Sequence, residues 1–145
     1  MIYDMKMTKQ SLAKHIITSF KDSEWDLLEK KPGQIPESKF NRRILLNLRE
    51  QDADFTGNVE EEHVIKFSNA LKQYLAEVWS EQPEAHKYVI SSCLALAFLY
   101  EIPMHPQEIV KYITSEKDGK KMYHCPAKQD SIICNFCVAE KAVGI

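Results

Sequence analysis

Three of the four cysteines in this 145-residue chain stand within thirteen positions, at Cys125, Cys134 and Cys137. Cys134-Asn135-Phe136-Cys137 has the two-residue gap with which a pair of thiolates chelates one ion, and Cys125 lies within easy loop-closure reach of that pair. Thiolates so spaced suit structural zinc. The same donors can carry an iron–sulfur cluster, or work without metal as a dithiol that exchanges with a disulfide. Isolated thiols have no packing reason to gather in a polar tail, so the spacing favours metal, with zinc ahead of iron–sulfur.

A tetrahedral site needs a fourth donor, and Cys93, His105 and His124 are the candidates. Neighbours in extended chain point to opposite sides, so His124, next to Cys125, is the worst placed. Cys93 would tie the tail to the core as a fourth thiolate, and geometry alone puts it narrowly first. His105 would give three thiolates and one imidazole. Each also has a plain reading: Cys93 as a core residue of an apolar helix, His105 as the residue that starts a helix before Pro106. If neither binds, three protein ligands would leave an open position for water, the arrangement of a catalytic zinc.

Other chemistry is weakly represented. Glu60-x-x-His63 has the spacing of half a carboxylate di-iron site, but no second such pair exists, so an acidic, solvated helix start is the better reading. The sequence holds no phosphate-cradling glycine loop, no GxSxG elbow and no HExxH, and no catalytic residue is assigned. Asn41-Arg42-Arg43 and the lysines from Lys117 to Lys121 are short basic patches with acidic neighbours. A formal net charge of −2 argues against nucleic acid and membrane as partners and leaves a protein partner open.

The stretch His105-Pro106 … Tyr123-His124-Cys125-Pro126-Ala127-Lys128 … Cys134-Asn135-Phe136-Cys137-Val138-Ala139-Glu140 resembles the C-terminal signature of an uncharacterised, mainly methanogen archaeal family, domain of unknown function 2115. The resemblance covers roughly the last 40 residues by motif. After His105-Pro106 the family pattern has a glycine- and proline-bearing segment where this chain has Gln107-Glu108-Ile109-Val110, so the chain reads as a divergent relative. The resemblance implies that His105, Cys125, Cys134 and Cys137 belong to one motif, which raises His105 as the fourth ligand. It implies no activity.

These residues need elements to hold them. Apolar residues recur at helical spacing through Leu12, Ile16, Ile17 and Phe20, then Trp25, Leu27 and Leu28, as one helix or two with a break near Asp22. A loop spans Lys31 to Pro36, and a helix follows with Phe40, Ile44, Leu45 and Leu48 on one face. Asn58 reads as the N-cap of a helix whose stripe is Val64, Phe67, Leu71, Leu75 and Val78. Pro83 suits the first position of the next helix, which runs to about Ile102, apolar almost all round, and so belongs at the centre of a bundle. Beyond Pro103 a short helix through Ile109 and Ile113 is expected, then a small hairpin around Asp118-Gly119, the dipeptide of a type I′ turn.

The expected architecture is therefore mainly α: one domain over 1–145, a bundle of about five helices over 1–102 with a small metal-binding appendage over 103–145 that admits a short β-hairpin. About 40 residues are too few to fold alone without a staple, which is the role a metal would fill. A 44% hydrophobic share and 28% charge fit a globular domain, and four glycines are few for an all-β fold. Met1 to Met7 holds no stretch apolar enough for a secretory signal, and Tyr88 to Ile102 is too short to cross a bilayer. Reduced cysteines and a cytoplasmic location are the expectation. The function expected is that of a metal-binding interaction or accessory module, with an iron–sulfur or dithiol redox protein as the alternative.

Overall fold

Thr8 does two jobs at the start of the described chain. It closes strand β1 (Lys6–Thr8) and caps helix α1 (Lys9–Thr18): its Oγ1 accepts the Ser11 N–H at 3.0 Å while the Ser11 hydroxyl donates back to the Thr8 carbonyl at 2.8 Å. The structure, a computed structural model, describes residues 6–30, 36–51, 55–81, 83–106 and 109–141. The expected loop at 31–35 lies outside the described residues.

Helix α2 (Asp22–Lys30) follows after a break at Ser19–Lys21, where the Glu24 carboxylate accepts the Lys21 N–H at 2.9 Å. Helix α3 (Pro36–Glu50) brings Ile44, Leu45 and Leu48 into the core, and Arg42 donates to the Leu28 and Glu29 carbonyls at the end of α2. Strand β2 (Asn58–Glu60) pairs antiparallel with β1, Met7 opposite Val59. Asn58 is thus a strand residue and not the expected N-cap. The ladder occupies its backbone, and helix α4 (Glu61–Val78) starts after Glu60 with no side-chain cap. The α4 stripe buries Val64, Phe67, Leu71 and Leu75, whereas Val78 is half exposed.

Helix α5 (Pro83–Leu94) continues as a π-helical stretch, Ala95–Tyr100. Glu101, at φ 53° and ψ 50°, ends it in the left-handed region, and the Ile102 N–H donates to the Leu96 carbonyl at 3.1 Å. Ser92, Ala95 and Leu96 are wholly buried. The α5 segment packs between α3 and α4, and the π-helical stretch lies against α1 and α3, so this apolar segment is central as its composition requires.

Strands β3 (Ile113–Lys117) and β4 (Lys120–Cys125) form the hairpin, and β5 (Glu140–Lys141) joins the far side of β4 in parallel. Between them helix α6 (Ile132–Phe136) packs on α4. The expected helix after Pro103 does not reach Ile113, which is a strand residue; the Ile109 and Val110 N–H groups close a turn on the Pro106 carbonyl.

The expectation of a mainly α bundle is corrected by these sheets. Among the described residues the chain has six α-helices, 59% helix, and five strands in two small sheets, 15% strand, and is mixed α/β. The missed pair has a physical reason: β1 and β2 are three residues each, too short for an alternation to register, and they are brought together across fifty positions by the helices between them. No helix among the described residues is long and apolar enough to cross a membrane.

Candidate functional site

The tail is built around a turn, a knuckle and one tyrosine. In the turn, Asp118 and Gly119 have φ of 52° and 77°, the two positive values a type I′ hairpin needs, and they set the register Lys117 opposite Lys120 through Ile113 opposite His124. Cys125 ends β4, is 8% exposed, and lies beside Lys141 of β5. The chain turns back at once, the Lys128 N–H donating to the Cys125 carbonyl at 3.4 Å. The Lys128 ammonium donates to the carbonyl of buried Ala139, which ties the outgoing limb to the returning one.

The knuckle is α6. Ser131 caps it by accepting the Cys134 N–H at 3.1 Å, and the Cys137 N–H donates to the Cys134 carbonyl at 3.1 Å, so both half-buried thiols of the Cys-x-x-Cys pair sit on a single turn. Phe136, between them, anchors that turn to the helical body. Its ring meets Phe67 at 5.6 Å, Phe98 at 5.8 Å and His63 at 5.5 Å.

The tyrosine is Tyr112. Its hydroxyl accepts the His105 N–H at 3.2 Å, and its ring meets Tyr123 edge-on at 6.4 Å. Burial pushes its pKa far above the ordinary value; the His105 N–H offsets part of this, and the charges of Cys137, Cys125 and Cys134 raise it again. The hydroxyl is thus held by the His105 main chain.

The remaining candidates lie as follows. Cys93 is buried in α5 within the core cluster. His124 is on the opposite face of β4 from Cys125, its Nε2 3.2 Å from the Ser115 hydroxyl. The His105 side chain is exposed. Glu60 and His63 form an exposed pair at 3.2 Å at the start of α4, in keeping with a solvated helix start. None of the four cysteines is in a disulfide. Among the described residues, no group of three or more Cys, His, Asp or Glu side chains is arranged to hold a metal ion. Tyr112 is the site residue that sequence reasoning missed. Nothing in its spacing marks it, because its role arises only when the His105 main chain and Tyr123 fold against it.

Comparison with family models, with curated proteins and with solved structures finds no match for this chain.

Proposed function

We propose that the chain is a cytoplasmic metal-binding protein in which one structural zinc fastens the C-terminal tail to present it as an interaction or accessory module. Cys125, Cys134 and Cys137 would supply three thiolates, and His105 the fourth donor. The observation that carries this reading is local: both thiols of the Cys-x-x-Cys pair sit on the single turn of α6, Cys125 ends the strand that leads into it, and the His105 main chain is tied to the same tail through Tyr112. The same observation favours His105 over Cys93, which belongs to the helical core. The donor chemistry fits: thiolate and imidazole are the set zinc takes in closed sites, where four protein ligands leave no position for water. The zinc would supply a cross-link that replaces the core this segment lacks. Kinship with the archaeal family of the His105-Pro106 … Cys137 signature is part of the same proposal.

Metal analysis of protein prepared without oxygen tests it. One zinc per chain is expected, falling to none in Cys134→Ser/Cys137→Ser, strongly reduced in His105→Ala and unchanged in Cys93→Ser. Brown protein with visible absorption would replace zinc by an iron–sulfur cluster. Metal-free protein with a reversible Cys134–Cys137 disulfide would replace it by dithiol exchange.

A further inference from the structure

We propose that the groove between α4 and α6 is the contact surface of a homodimer, in which α4 of a second copy lies antiparallel against α4 of the first. The groove has a volume of about 430 Å³. Its floor is one stripe of α4, Lys66, Asn69, Ala70, Gln73, Tyr74 and Glu77, whose spacings of three and four residues put them on a single helix face. Ser131, Ile132 and Ile133 at the start of α6 form the other wall. Tyr74 is 49% exposed and Ile132 45%, so a large ring and a branched side chain stand open to water beside half-buried Ala70.

The charges choose the occupant. Lys66 stands at one end of the stripe and Glu77 at the other, about 16 Å apart along the helix axis. Among the described residues neither has an ion-pair partner in its own chain. An antiparallel copy sets Lys66 of each chain against Glu77 of the other, twice per dimer, about a two-fold axis that passes between Ala70 and Gln73. The small side chain of Ala70 then leaves room for the Gln73 amide of the other copy, and the two helix dipoles run in opposite directions, which favours the pairing. Glu62 and Glu81 lie outside the groove, beyond Lys66 and Glu77 respectively, and meet across the rim, where water and salt screen them.

A different protein would need its own pair of opposite charges at the same separation, whereas a second copy carries that pair by necessity. The stripe and part of α6 offer fewer than the roughly 20–30 residues a side of a standard interface. The dimer is therefore weak and reversible, with a dissociation constant on the order of tens of micromolar. The inference deepens the reading of the tail as an interaction module and rests on it, because the α6 wall belongs to the segment that the zinc would fasten.

The test is analytical ultracentrifugation of the full chain from about 1 μM to about 1 mM, where a monomer–dimer equilibrium is expected. Lys66→Glu sets two carboxylates against each other at each contact, and Glu77→Lys two ammonium groups. With two such contacts per dimer, each variant weakens association about tenfold or more. Lys72→Glu makes the same charge change outside the groove and leaves the dimer intact. The decisive sample is an equimolar mixture of Lys66→Glu and Glu77→Lys protein: neither associates alone, and together they pair, because every contact regains opposite charges. Both positions are exposed, so the variants keep the melting temperature of the unaltered chain, and lost association is not lost folding. Protein that stays monomeric at the highest concentration overturns the proposal. So does a dimer that tolerates both reversals, or a mixture that fails to associate. Zinc content measured on the same samples separates the two readings: zinc-loaded protein that stays monomeric overturns this proposal alone, while a charge-matched dimer of zinc-free protein supports it and overturns the zinc.

Discussion

The helical body and the tail solve the problem of staying folded in different ways. In the body, Leu12, Ile16, Leu45, Leu48, Phe67 and Leu96 are almost wholly removed from water, and each lies on a stripe that another helix covers. In the tail, only Cys125 and Ala139 of residues 113–141 are buried, and β3 is exposed throughout. The body needs no particular atom, because burial is non-directional and shared among many side chains. The tail depends on a few specific groups: a lysine on a carbonyl, a tyrosine hydroxyl and one phenylalanine set into the body.

The sharpest way to break the comparison is to truncate a ring on each side of the same contact. Phe67→Ala, at a fully buried position, is expected to cost about 3–5 kcal/mol and to unfold body and tail together. Phe136→Ala removes the partner ring from a half-buried site and is expected to cost about 2 kcal/mol. Its effect should fall on the tail, with hydrogen exchange speeding up in 113–141 while α1 to α5 keep their protection. Equal loss of protection in both regions would show that the two are one cooperative unit.

Gly119→Ala probes the tail alone. At φ 77° an alanine is strained although nothing lies within 4 Å of its Cβ, so about 1 kcal/mol should be lost from the hairpin. Nuclear magnetic resonance shifts of β3 and β4 would report it, with the helices unmoved.

The smallest effect belongs to the body. The Lys21 N–H, then the Lys87 ammonium, holds the Glu24 carboxyl below its ordinary value of 4.5. A carboxyl lowered in this way adds stability above its unfolded value, and the gain is lost as pH falls through the lower folded value. Glu24→Gln should therefore lower the body's stability near neutrality, where the carboxylate's contribution is present, and flatten the acid end of its stability curve below pH 4.5. Thermal melts between pH 3 and 7 would check this.

Legibility in the sequence follows the same division. The helices of the body could be read because each buries a stripe at 3.6-residue spacing, and Asp118-Gly119 announced its turn because few dipeptides accept two positive φ values in succession. Strands β1 and β2 could not be read, since three residues carry no period. The widening to a π-helix at Ala95 was equally silent: its apolar residues fit any helix, and Glu101 is not a residue type that signals a left-handed stop. At the site, the thiols were visible as a cluster by spacing alone. Tyr112 was not, for its hydroxyl matters through a main-chain N–H seven positions away.

The parallel placement of β5 beside β4 also fixes an order of events during synthesis. Cys125 leaves the ribosome sixteen residues ahead of Lys141, its neighbour in the finished sheet, and a ribosome adds about 5–20 residues each second. For about a second or longer, nascent thiols are therefore open to whatever the cell supplies first, a buffered metal or an oxidant, beside a body whose helices have already been translated.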